Sequence, residues 1–193
     1  MSIYKDKIVI IDIEATCWEG YRTAPEGQVN EIIEVGVCLL DPNEQTVTDA
    51  RSLLVTPEES VISPFCVELT SITPELIAAE GMPFAQACEI LENEYNTRNR
   101  LWASWGGYDH ELFKKQCRRR KVRYPFSKKH TNLKRVFHHA VGERMNFWRA
   151  LENLGLEREG RAHRGVDDAY NTGVLLNELC QRYGQGILRR YGW

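Results

Sequence analysis

Residues 8–11, Ile-Val-Ile-Ile, are apolar on both faces of a strand, and a strand that must be covered on both sides belongs inside a sheet. The run continues directly into Asp12 and Glu14, with only Ile13 between them. Alternate strand residues point the same way, so both carboxylates project together from the end of a buried strand. Like charges held that close oppose each other's ionisation. A divalent cation would remove the conflict: hard oxygen donors suit magnesium or manganese, and ligands of open α/β sheets gather at the carboxyl ends of the strands. The alternative is a strand that stops at Ile11 and leaves both acids in water.

The rest of the chain supplies the elements for such a sheet. A β-branched run over Glu31–Asp41, a turn at "DPNEQ" and an alternating segment over Thr46–Pro57 predict an antiparallel meander. Helical spacing follows over Thr73–Gly81, with Thr73 as N-cap, Pro74 at the first helical position and Gly81 as the stop, and again over Pro83–Arg98. "LWASWG" (Leu101–Gly106) reads as a short strand. Asp109–Lys121 reads as a helix with an acidic first turn, Asp109 as its candidate N-cap, and a basic last turn. Thr131–Gly142, Met145–Leu156 and Gly165–Gly184 complete the helices, the last with Val166, Ala169, Tyr170, Gly173, Val174, Leu176, Leu179 and Cys180 on its apolar side. Strands early, helices late and one strand between them predict a mixed β-sheet flanked by α-helices, in the α/β or α+β classes.

At 193 residues, one domain over 1–193 is expected. A formal net charge of −2 argues against holding a polyanion by bulk charge, so any nucleic-acid contact must be local. The six cysteines (Cys17, Cys38, Cys66, Cys88, Cys117, Cys180) show neither CxxC nor zinc-like spacing and read as reduced thiols. The N-terminus lacks the pattern of a signal peptide, and no stretch approaches the roughly 18 apolar residues of a membrane span. A soluble cytoplasmic protein without membrane association is the expectation.

Two further segments can join Asp12 and Glu14. Asp109 follows "SWGGY" at a strand-to-helix junction, where an acid could equally be a cap. "HRGVDD" (His163–Asp168) leads into the last helix; if that helix has begun by Val166, Asp168 lies about one turn in and His163 just ahead of it. Both can then face one site, although His163 could also be a surface residue and Asp167 or Asp168 a companion of the helix N-terminus.

"DIEATC", "SWGGYD" and "HRGVDD", in that order and at these separations, resemble the three exonuclease motifs of the DEDDh group, the DnaQ-like 3′-to-5′ exonucleases. The likeness spans residues 8–180. It implies a ribonuclease H-like mixed sheet flanked by helices, with Asp12, Glu14, Asp109 and Asp168 as the catalytic carboxylates holding two divalent metal ions, Mg2+ or Mn2+, and His163 as general base. The H-x-[AG]-x-x-D spacing selects Asp168 over Asp167, which becomes a supporting residue or a cap. "EATC" with "FCVELTSIT" (Phe65–Thr73) resembles the Eri-type branch, whose members trim the 3′ ends of RNA. By that resemblance Phe65–Thr73 forms the loop beside the substrate, while on local grounds it is an equally good helix-entry segment with capping threonines. Ala15 and Thr16 should then lie by the terminal nucleotide, with Thr70 and Ile72 across the cleft.

The chemistry of phosphodiester hydrolysis supports the same roles. It needs an activated water, stabilised charge on the phosphoryl oxygens and help for the leaving 3′ oxygen, all of which a metal pair on four carboxylates can contribute. A neutral imidazole can accept the proton of the attacking water near neutral pH. Trp18 and Trp105 flank the first two motifs and could stack on a terminal base; its apolar neighbours favour a core role for Trp105. The stretch Lys114–Lys129, rich in cations and free of acids, could track a phosphate backbone or be a solvated helix end. Single-stranded RNA 3′ ends or short 3′ overhangs are the expected substrate; the alternatives are DNA as substrate and a non-catalytic nucleic-acid-binding adaptor. The chain has no room for the extra nucleic-acid-binding module of some Eri-type proteins. Monomer and homodimer both fit the resemblance.

Overall fold

The computed structural model describes residues 6–20 and 24–191. Its frame is one five-stranded sheet in the order β3-β2-β1-β4-β5, formed by β1 (Ile8–Ala15), β2 (Ile32–Asp41), β3 (Thr46–Leu54), β4 (Trp102–Ser104) and β5 (His130–Asn132). The predicted meander is present: β1 pairs antiparallel with β2, and β2 with β3. β4 and β5 add parallel strands on the other side of β1, so the doubly apolar strand is central.

Period-two alternation sorts β1 into two cores. Val9, Ile11, Ile13 and Ala15 join a cluster with α3 (Phe84–Asn93) and α4 (Tyr108–Arg120). Ile8 and Ile10 face the opposite layer, built from α5 (Leu133–Val141), α6 (Phe147–Asn153), α7 (Gly165–Tyr183) and α8 (Gly186–Tyr191). Asp12 and Glu14 share the parity of Ile8 and Ile10, so their side chains leave the sheet on the α7 side. Near Glu14 the β1–β2 register slips, with Glu14 opposite Glu34 and Ala15 opposite Ile32. Such a bulge bends a strand and re-aims its side chains beside a site.

α7 sits unusually close to the sheet. A Cβ on Gly36 of β2 would lie 1.9 Å from the backbone carbonyl carbon of Gly165 at the start of α7, so no larger residue fits there. This contact delivers the first turn of α7 to the carboxyl end of β1. The buried face of α7 differs in part from the predicted stripe: Leu175, Asn171 and Thr172 are buried, while Val166, Tyr170 and Val174 are half-buried.

Several expected elements change. Phe65–Thr73 is neither loop nor entry segment alone; it contains α1 (Pro64–Thr70), capped by Ser63, whose hydroxyl accepts from Cys66 N, and ended by Ser71 in the left-handed region. α2 (Pro74–Glu80) follows with Thr73 as N-cap and Gly81 as C-cap, as predicted. The helix expected over Pro83–Arg98 stops at Asn93. Thr131 does not start a helix: it lies in β5, and Asn132 caps α5 by accepting from Arg135 N. Among the described residues the six cysteines are free thiols, and no helix is long and apolar enough to cross a membrane.

Candidate active site

Asp12 and Glu14 leave the end of β1, and Asp109 arrives above them from the other layer. Asp109 is not the cap of α4. Gly107 holds that position without a side-chain bond, and Asp109 is the second helical residue, its Oδ1 accepting from Ile13 N at 3.2 Å. The acid thus spends its capping capacity on a strand N–H rather than on its own helix.

From the α7 side, Arg164 is the N-cap and Asp168 lies in the first turn. His163 precedes the helix with φ of 59°, in a region that non-glycine residues seldom occupy. That turn brings its own N–H to Asp168 Oδ2 at 3.0 Å. Glu14, His163 and Asp168 each offer a ligand atom within 4.8 Å of the others. All five predicted catalytic residues line one cleft of about 240 Å3, walled by Trp105, Tyr108, Phe147 and Trp148.

Burial governs the electrostatics. Desolvation, then repulsion from Asp109, Asp168, Glu14 and Glu34, pushes Asp12 well above the usual carboxylate range. Desolvation, followed by the charges of Asp168 and Glu34, raises Glu14 to about 8. Burial raises Asp168 to about 7 and Asp109 to about 6, against hydrogen bonds that favour their charged forms. Burial, then the cation of Arg158, holds the His163 imidazole below its ordinary value and so neutral at neutral pH. Asp168 Oδ1 is buried without a hydrogen-bond partner, and such a group carries the full cost of its desolvation. Converging oxygen donors that destabilise one another, with one buried oxygen unclaimed, fit hard divalent cations.

The loop carrying His163 is tied down from beneath. Glu34, fully buried, accepts from Ser52 Oγ at 2.6 Å and from Gly165 N at 2.9 Å, and pairs with Arg164. Asp167 points away from the cleft and accepts from Arg161 N at 2.8 Å, the supporting role expected of it. Sequence reasoning passed over Glu34, because its partners lie far away in the chain. It also passed over Tyr108, Phe147 and Trp148; the adjacency of Tyr108 to Asp109 was the available signal.

The proposed substrate contacts are placed unevenly. Trp105 serves both expected roles, lining the cleft while packing on Phe137 and Phe147 at ring separations of 5.8 and 5.4 Å. Ala15 and Thr16 follow Glu14, but the buried Thr16 hydroxyl is taken up by Val29 O and Glu31 N. Thr70 donates to Cys66 O and accepts from Ile72 N, and Ile72 is core. These side chains shape the wall from within. Trp18 is half-buried and lies outside the residues lining the cleft. A second groove, of about 620 Å3, begins at His163 and runs between Phe65 and Leu69 of α1 and the loop residues Arg158 and Arg161. In the basic stretch Lys114–Lys129, Arg120 is held by Glu31, Glu58 and Glu59, and Lys114 pairs with Glu111, so part of that charge is structural.

Comparison with known proteins agrees with this geometry. The sequence matches the RNase T family of exonucleases over residues 9–176. It is 30% identical to the 3′-5′ exonuclease Snipper of Drosophila melanogaster over 203 residues, covering 94% of this chain and 70% of that one. It is 34% identical to 3′-5′ exoribonuclease 1 of Rattus norvegicus, covering 92% of this chain and 54% of that protein, so it spans about half the length of that relative. The fold superposes on the nuclease domain of 3′hExo, a DEDDh family member crystallised with rAMP, with a TM-score of 0.80 and 28% identity over 94% of this chain and 95% of that one. The chain belongs to the DEDDh family of 3′-to-5′ exonucleases, in its Eri-type branch.

Proposed function

We propose that this protein hydrolyses phosphodiester bonds from the 3′ end of single-stranded RNA or short 3′ overhangs, releasing nucleoside 5′-monophosphates. The observation that carries the reading is the convergence of four mutually destabilising carboxylates and a neutral imidazole in one cleft, with Asp168 Oδ1 unclaimed. Two divalent cations held by Asp12, Glu14, Asp109 and Asp168 would supply neutralisation of the phosphoryl oxygens and a more acidic water. The protein's own part is to exclude bulk water, to fix the acids and to move one proton.

His163 takes that proton. Burial and Arg158 keep its ring neutral, and the bond from its backbone N–H to Asp168 fixes the loop that carries it. The proton leaves the attacking water as its oxygen bonds to phosphorus, and the bond from phosphorus to the preceding nucleotide's 3′ oxygen breaks. Trp105, Tyr108, Phe147 and Trp148 offer apolar faces for the terminal nucleotide, and the Arg158–Arg161 groove offers cations for a phosphate beside it. RNA is preferred over DNA here because the relatives of about 30% identity include exoribonucleases.

The test is incubation with 5′-labelled single-stranded RNA and matched DNA, with magnesium, manganese or chelator, beside His163→Ala. Laddering from the 3′ end of RNA that stops with chelator and slows by roughly 10²–10⁴-fold in the variant is expected. Laddering that persists in chelator or in the variant would overturn the mechanism, and preference for DNA would overturn the substrate.

A further inference from the structure

Asp109 is approached from behind by a line of polar groups that the reaction scheme leaves unused. The hydroxyl of Ser104, fully buried at the end of β4, hydrogen-bonds the Asp109 carboxylate. The same oxygen lies 2.9 Å from Nε2 of His130, on the neighbouring strand β5. A longer contact, 3.3 Å, runs from Ser104 Oγ to the Gly106 carbonyl. A serine hydroxyl has a single hydrogen to give. If Asp109 is to be a carboxylate when it works, that hydrogen belongs to Asp109, and His130 must donate Nε2–H to the serine oxygen.

His130 is held for this task on both faces. Its ring lies 4.3 Å from Trp102 and 4.7 Å from His110, the two imidazoles nearly parallel at 19°. β5 sets it by pairing His130 with Trp102 and Asn132 with Ser104. Burial, with His110 and Lys114 nearby, lowers its pKa to about 3, so the ring stays neutral and in one tautomer throughout the working range.

We propose that His130 is a positioning residue for the reaction: through Ser104 it fixes the orientation of the Asp109 carboxylate, whose other bond is to Ile13 N. The inference deepens the reading of Asp109 as a cation ligand and rests on it. Groups that orient a metal-binding carboxylate typically alter metal affinity by about 10- to 100-fold when removed.

The experiment measures Mn2+ binding by electron paramagnetic resonance, with thermal melting alongside, for wild type, His130→Phe, Ser104→Ala and the double variant. Phenylalanine keeps an aromatic ring between Trp102 and His110 but removes the donor. Each single variant is expected to weaken Mn2+ binding by about tenfold, with kcat reduced and the KM for an oligonucleotide unchanged. The double variant is expected to be no worse than either, because the two residues act in series. Should the aromatic replacement unfold, Ser104→Ala carries the test alone. Unchanged Mn2+ affinity in variants that fold, or losses that multiply in the double variant, would overturn the relay. Absence of Mn2+ binding by the wild type would instead overturn the reading of Asp109 as a ligand.

Discussion

Glu31 and Glu14 are both buried near one end of the β1–β2 pair, at 1% and 8% exposure, and their surroundings are opposite. Glu31 accepts from the backbone N–H groups of Glu58, Glu59 and Ser60, and from the guanidinium of Arg120. Burial raises its pKa, but these bonds outweigh it and leave the group below its ordinary value. Glu14 has no such donors among the described residues and faces Asp168 and Glu34 instead. A buried acid matched by donors is part of the framework; a group of buried acids without donors awaits a cation from solution. The difference locates the site without reference to any relative.

The largest effect should come from removing one site charge. Asp12→Asn forfeits several kcal/mol of transition-state stabilisation, a fall in kcat on the order of 10³-fold. The same change removes repulsion from the metal-free protein, whose melting temperature at pH 8 should rise by about 2–6 °C. Steady-state kinetics and calorimetry on one preparation measure both. A site acid whose removal costs both activity and metal-free stability would break the comparison.

The second prediction concerns pH. Folded Glu14, Asp168 and Asp109 keep their protons up to about 8, 7 and 6, whereas the unfolded residues release theirs near 4. Between those limits the native state binds more protons, so the stability of the metal-free protein falls as pH rises, by up to about 1.4 kcal/mol per pH unit for each titrating group. Glu31 has the opposite sign: its contribution is present above its ordinary value of 4.5 and is lost as pH falls through its lowered one. Melting from pH 4 to 9 in chelator should therefore show a decline on the alkaline side, and added Mg2+ should flatten it.

Third in size is Glu31→Gln. An amide cannot accept from three N–H groups and an arginine together, so a loss of about 3 kcal/mol is expected by chemical denaturation. Turnover per folded molecule should stay within about twofold of wild type, because no residue lining the cleft is touched.

How much of this was legible follows the range of the interactions. The shared face of Asp12 and Glu14 is fixed by strand parity, a local rule, and "HRGVDD" placed His163 and Asp168 one turn apart for the same reason. Asp109 was located correctly and given the wrong local duty, because the Ile13 N–H that it accepts from is far away in sequence. The segment "HTN" carries no apolar alternation and became β5 only through its pairing with β4. Thr16 looked available for substrate because its partners, Val29 O and Glu31 N, are set by a tertiary turn. α1 is different: Ser63 before Pro64 is a local start signal that was present to be read.

The smallest effect belongs to Glu34, which stands in both groups. It is matched like Glu31, by Ser52, Gly165 N and Arg164, yet it lies opposite Glu14 across β1 and β2 and adds to the repulsion there. In Glu34→Gln the amide oxygen can still accept from Gly165 N, and Arg164, partly exposed, can turn to water. Loss of the ion pair and relief of Glu14 then nearly cancel, for a net stability change below about 1 kcal/mol at pH 7. The two contributions separate with pH. Relieved of one neighbouring charge, Glu14 should release its proton at lower pH, so the alkaline decline in metal-free stability should begin earlier and be shallower in total. An onset unmoved by Glu34→Gln would mean that burial alone, without the charge across the strand pair, sets the state of Glu14.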